Sequence, residues 1–206
     1  MTKRRKKKRI KVGPIILLLL VIFVVAGYFI YNSRPKLQVV SIVSKIEGYD
    51  YYLEDNATKI YKDNYKKLEK ELKDNKIDEE NYARLVGKLF VIDYYTLNNK
   101  ITNKDIGGVQ FIHSSLKNDF ISQASNTVYK YVKNDLYGNR KQSLPEVKSV
   151  NVKEFKEIKY NNKDYKDDRG YELELDIKYK KDYDYPEQVN LKIIHEDNKL
   201  VIVEIS

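Results

Sequence analysis

Asp93 is the residue whose position most invites chemistry. It follows Phe90 by three residues, Leu89 by four and Val86 by seven. On a helix that spacing puts its carboxylate on the apolar stripe. A buried charge is costly unless it is paired, hydrogen-bonded or neutralised. Two readings follow. In one, Asp93 is a pocket acid or base with a raised pKa, and Tyr94, His113 and Tyr129 are its candidate neighbours. In the other it is structural, its oxygens accepting backbone N–H groups from the glycine-bearing loop at Gly107 and Gly108.

The remaining chemistry-bearing residues fit ordinary structural roles better. His113, Ser114, Ser115 and Asp119 lie close together in the chain but carry no nucleophile-elbow motif, and the serines suit a helix N-cap. His113 and His195 lack metal-ligand spacing. Asp182, Asp184 and Glu187 lack the glycine and further acid of a calcium loop. Gly107-Gly108 is not followed by the Lys-Ser/Thr of a phosphate loop, so a backbone turn is its expected use. Asn56-Ala57-Thr58 matches a glycosylation sequon, a pattern common by chance. With no cysteine in the chain, disulfides, thiolate zinc sites and cysteine nucleophiles are excluded. No residue pattern specifies a catalytic centre, a cofactor or a metal.

The elements that would position Asp93 can be read from periodicity. Leu37 to Ile46 is rich in Val and Ile and predicts a strand, with Glu47-Gly48 as a turn into a second strand through Tyr49, Tyr51 and Leu53. A first helix is expected from about Ala57 to Lys73, with Tyr61, Tyr65, Leu68 and Leu72 on one stripe. A second follows, capped by Asp78, with Glu79 and Glu80 in its first turn, ending near Asn98-Asn99. A third is expected from Ser114 or Ser115 to Gly138. From Val147 the period changes to two. Four strands follow, with a bulge between Val152 and Phe155 and a tight turn at Asp197-Asn198. Hairpin, three helices and a four-stranded antiparallel sheet make an α+β fold, with helices on one side of the sheet.

The net charge of +9 is unevenly placed. Residues 1–36 hold ten cations and no acid, leaving −1 for residues 37–206. A nucleic-acid-binding domain carries its own basic face, so that function class is disfavoured. The cations instead flank an uncharged run, Ile15 to Tyr31, spanning roughly 25 Å as a helix. With Val12 to Pro14 it matches a hydrocarbon core. The expected organisation is a basic cytoplasmic tail (1–14), a transmembrane helix (15–31), a linker (32–36) and an extracytoplasmic domain (37–206). Eight cations before the span and two after it orient it by the positive-inside rule. A cleaved signal peptide is the rival, with Val24-Val25-Ala26 as the small-residue site. The apolar run continuing through Tyr31 argues against it.

Three helices wrapped by a curved four-stranded antiparallel sheet resembles the nuclear-transport-factor-2-like, or cystatin-like, cone fold. A short basic tail, one span and such a domain is similar in layout to the single-pass inner-membrane component of type IV secretion and conjugation machines. The likeness covers layout only, and the N-terminal hairpin departs from it, since members usually open with a helix. It implies a scaffold or interaction role, and the fold also hosts small enzymes with a pocket between helices and sheet. The partners expected are the lipid bilayer and either another envelope protein or further copies of this chain, with no nucleic acid. The alternative is a ligand-binding or enzymatic cone with a pocket around Asp93.

Overall fold

A computed structural model describes residues 12–33 and 36–206, with side chains from residue 20 onward. The basic tail through Lys11, and Arg34 and Pro35 of the linker, lie outside the described residues. The chain divides into two units, residues 1–37 and 38–206.

In the first unit, α1 runs Val12–Asn32. Its described side chains, from Leu20 to Tyr31, are all exposed. Among the described residues, no helix is long and apolar enough to cross a membrane. The expected span begins at Ile15, and the side chains of residues 15–19 are not among those described.

The second unit is α+β. A two-stranded antiparallel sheet pairs β1 (Ile42–Lys45) with β2 (Tyr52–Glu54). It is shorter than the Val/Ile run predicts: Leu37 to Ser41 form no strand, and Leu37 and Val39 face solvent. Gly48 turns the chain with φ +82°.

Helix α2 (Lys59–Leu72) starts where Thr58 Oγ1 accepts the Tyr61 N–H, and it buries Tyr61, Tyr65, Leu68 and Leu72. Loss of such a cap costs about 1 kcal/mol. Helix α3 (Glu79–Tyr95) starts at Asp78, whose carboxylate accepts the Asn81 N–H. It is buried nearly all round, because α2 packs on it from one side and all four strands of the main sheet meet it from the other. At Gly87 a Cβ would lie 2.9 Å from Leu173 Cδ2, so glycine here permits the close helix–sheet approach. α3 stops at Tyr95, short of Asn98-Asn99. Thr96 turns extended, and the Leu97 and Asn98 N–H groups both go to Pro145 O.

The third helix is the largest correction. Two short 3-10 turns, Val109–Phe111 and Ser114–Leu116, precede α4, which runs only Lys117–Asn126. At its end Asn126 Nδ2 and Thr127 Oγ1 donate back to the Ser122 and Gln123 carbonyls, and Thr127 leaves the helical region. The chain then folds inward as an irregular loop that buries Tyr129 and Val132 and leaves Tyr131 in solvent, in place of the further helical turns expected up to Gly138. Gly138, φ +66°, sits in that loop and terminates no helix. Nor do the serines cap the 3-10 turn: its N-cap is His113, whose ring nitrogen accepts the Ser115 N–H.

The main sheet is antiparallel in the order β3-β4-β5-β6: Val147–Asn161, Lys166–Tyr179, Gln188–Glu196 and Lys199–Ile205. The β3–β4 register shifts between Val152 and Glu154, where the apolar phase slips in the sequence. Tyr171, Leu173, Leu175 and Ile177 face the helices, as do Val189, Leu191 and Ile193. On the other face Lys153–Glu174 and Lys192–Glu204 pair across strands. Only residues 162–165 join β3 to β4, which begins at Lys166.

Candidate functional site

Asp93 lies near the C-terminal end of α3, where the chain must return past the helix through residues 96–108. Its two oxygens are both engaged. Oδ1 accepts Lys100 Nζ at 2.6 Å, and Oδ2 accepts the Gly108 N–H at 2.7 Å. Lys100 is 2% exposed, so its ammonium is carried inside the protein. Burial pulls the Lys100 pKa down, but the charges of Asp93, Asp105 and Glu54 outweigh it and the net direction is up. Glu54, half-buried beside this group, is pushed up by its own desolvation and by Asp93.

The same loop is pinned by Tyr129. Its hydroxyl donates to Tyr94 O at 2.7 Å and accepts the Gly107 N–H at 3.0 Å. Burial drives the Tyr129 pKa well up, so the phenol stays neutral. Gly107 has no room for a side chain, because a Cβ there would stand 2.2 Å from Asp93 O. The free space beside Asp93, lined by Tyr52, Glu54, Tyr61, Asn99 and Gln110 among others, is about 10 Å³. One water at most fits such a volume.

Of the residues grouped around Asp93 by sequence, Tyr94 and Tyr129 are therefore neighbours. Tyr94 contributes its carbonyl, while its ring stacks on Phe90 at 5.4 Å. His113 belongs elsewhere. It sits by β5, with Nε2 3.6 Å from Glu196 Oε1 and Nδ1 3.0 Å from Ser115 Oγ. This serine–histidine–glutamate arrangement has the Nδ1 lone pair already accepting the Ser115 N–H at 3.3 Å. Glu196 in turn accepts the Ser114 N–H, so the group fastens the start of the turn to the sheet. Lys100, the ion-pair partner, carries no signal that separates it from the chain's many other lysines.

A second cluster forms where the N-terminal end of α3 meets β4 and β5. Asp167 Oδ2 accepts both the backbone N–H and Nδ1 of His195, each at 2.8 Å. Because a carboxylate only accepts, His195 carries a proton on Nδ1. Its Nε2 faces Glu79 Oε2 at 3.7 Å. The same Glu79 oxygen accepts the Tyr171 hydroxyl at 3.0 Å and lies 3.5 Å from Arg169. Burial raises the Asp167 pKa, but hydrogen bonds from the His195 and Arg169 backbone outweigh it and the net shift is down. Burial and Glu79 push Tyr171 up. Beside these groups opens a concavity of about 690 Å³, lined by Lys76, Ile77, Asp78, Glu79, Glu80, Glu157, Arg169 and Tyr171. Strand pairing holds the signal for this cluster: Tyr171 opposite Ile193 brings Arg169 and Asp167 towards His195.

Among the described residues no group of three or more acids, histidines or cysteines is placed to hold a metal ion. Comparison with protein-family models, curated proteins and solved structures finds no match to this chain.

Proposed function

We propose that this chain is a single-pass, membrane-anchored domain on the outer side of a cell membrane, where it binds a protein partner or further copies of itself. The anchor part rests on the sequence: an uncharged run from Ile15 to Tyr31, preceded by eight cations. Exposure of every described apolar side chain of α1 supports it, since such a surface needs a non-aqueous neighbour. The likeness in layout to single-pass secretion and conjugation components is part of the same reading.

The observation that carries the binding role is the open cleft at the start of α3. There Glu79, Arg169, Tyr171 and His195 converge from three elements beside a concavity of about 690 Å³. The cleft is open and lined mostly by charged side chains, which suits a protein segment more than a small molecule. The alternative, a ligand or enzymatic pocket around Asp93, has only about 10 Å³ of free space and a carboxylate already held by two donors.

The test is crosslinking in intact membranes. A photoreactive residue at Glu157 is expected to trap one discrete adduct, lost when Arg169→Glu replaces one of the two cations lining the cleft with an acid. Monomer alone at native expression level contradicts the binding role.

A further inference from the structure

The segment from Lys130 to Ser143 is irregular yet tightly stitched. Gln142 bridges it, accepting the Lys133 N–H and donating to Tyr131 O. Asp135 accepts the Arg140 N–H, and Arg140 reaches across to the Lys100 and Asn98 carbonyls. A loop held this firmly presents its outward side chains in fixed positions. Two of those are large tyrosines left in solvent, Tyr131 at 74% and Tyr137 at 52% exposure. Lys130 Nζ lies 5.2 Å from the Tyr131 ring centre. Counting Lys130, Lys133, Arg140 and Lys141 against Asp135, the segment carries +3 in a domain that totals −1.

This loop also holds the point where the chain enters the domain. Gln38 N donates to Leu136 O at 2.7 Å and Gln38 Nε2 to Asp135 O at 2.9 Å. Next to it, Val39 is 78% exposed. Only residues 33–37 separate Gln38 from the end of α1, a reach of about 20 Å when fully extended.

We propose that this loop is the face by which the domain rests on the headgroup layer of its own anchoring bilayer. Tyr131 and Tyr137 sit in the interface, and Lys130, Lys133 and Lys141 lie against anionic lipid phosphates. Tyrosines with an apolar body and a polar tip prefer that layer. Lysines held near a bilayer surface are drawn to anionic lipid, at about 1 kcal/mol each. The short tether keeps the loop at the surface, and the tightness of the loop makes the contact a defined orientation. The cleft at the start of α3 is then presented at the opposite end of the sheet's long hairpin. This inference rests on the reading of α1 as a membrane span.

The chain has no cysteine, so single cysteines report single positions. The full-length protein is reconstituted in phosphatidylcholine vesicles with and without phosphatidylglycerol. A fluorophore is placed through Val24→Cys, Asn139→Cys or Lys163→Cys, and lipids carry a nitroxide quencher on the headgroup or in the acyl chain. Acyl-chain quenching at position 24 is expected, with headgroup quenching at position 139 that strengthens with anionic lipid. At position 163, on the far β3–β4 turn, none is expected. Combining Lys130→Glu, Lys133→Glu and Lys141→Glu should lower the resting fraction relative to the raised one by roughly fivefold or more per lysine, with the thermal midpoint unchanged. Quenching at 24 but not at 139, or equally at 139 and 163, overturns the docking face while leaving the anchor standing. Failure of quenching at 24 overturns the anchor, and this inference with it.

Discussion

Lys100 Nζ lies 2.6 Å from Asp93 Oδ1, with Lys100 2% exposed. The pair ties the end of α3 to the strand-less return that carries Gly107 and Gly108. A buried pair of this kind contributes little net stability over an apolar replacement, but breaking it from one side strands a charge. Lys100→Met is therefore expected to destabilise the domain by about 3–5 kcal/mol. Adding Asp93→Leu should recover part of the loss, limited by the Gly108 N–H left without its acceptor. Urea unfolding of the two single variants and the double variant gives the coupling directly.

Alkaline pH should weaken the domain through the same lysine. The folded pKa of Lys100 is raised above its ordinary value of about 10.4, because Asp93, Asp105 and Glu54 outweigh desolvation. Its contribution is then fully present below the unfolded pKa and is lost as pH rises through the folded one. Buried tyrosines such as Tyr129 act in the same direction. The specific signature is a shallower alkaline loss of thermal midpoint in Lys100→Met than in the wild type.

Gly107 is fixed by sterics and not by backbone conformation. An added Cβ would stand 2.2 Å from Asp93 O and 2.9 Å from Asp93 Oδ1. Gly107→Ala must push the loop off α3, at a cost at or above the 1–3 kcal/mol of ordinary overpacking. Differential scanning calorimetry should show a lowered midpoint, with increased hydrogen exchange at Gly108.

Much of this architecture is legible in the sequence, and the failures have physical causes. Asp78 as a cap, the stripe of Tyr61, Tyr65, Leu68 and Leu72, and the alternation from Tyr171 to Ile177 are local patterns, each set by one element meeting one apolar surface. Val132 misleads because it stands at helical spacing from Ala124 and Val128, whereas a loop stitched by Gln142 and Arg140 buries it without a helix and leaves Tyr131 in solvent. For Asp93, the stripe position and the Gly108 donor are visible in the sequence. Lys100 is not, since a cation seven residues on, beyond the helix end, is brought back only by the return of the chain. The Asp167–His195 contact depends on strand register, which periodicity alone does not supply.

Acid should loosen the cleft. Asp167 has its folded pKa lowered by hydrogen bonds from the His195 and Arg169 backbone, against an opposing burial effect. That stability is present above the ordinary aspartate value of about 3.9 and is lost as pH falls through the folded value. Asp167→Asn should reduce stability at pH 7 and flatten the decline below pH 4, as followed by far-ultraviolet circular dichroism.

The two ends of the chain should lie on opposite sides of the membrane. Single cysteines introduced by Lys3→Cys and Lys163→Cys, treated with a membrane-impermeant maleimide, read this directly. In intact cells position 163 should label and position 3 should not, with position 3 labelling only after lysis. Labelling at position 3 but not 163 in intact cells, or purified protein lacking its first thirty residues, contradicts the account.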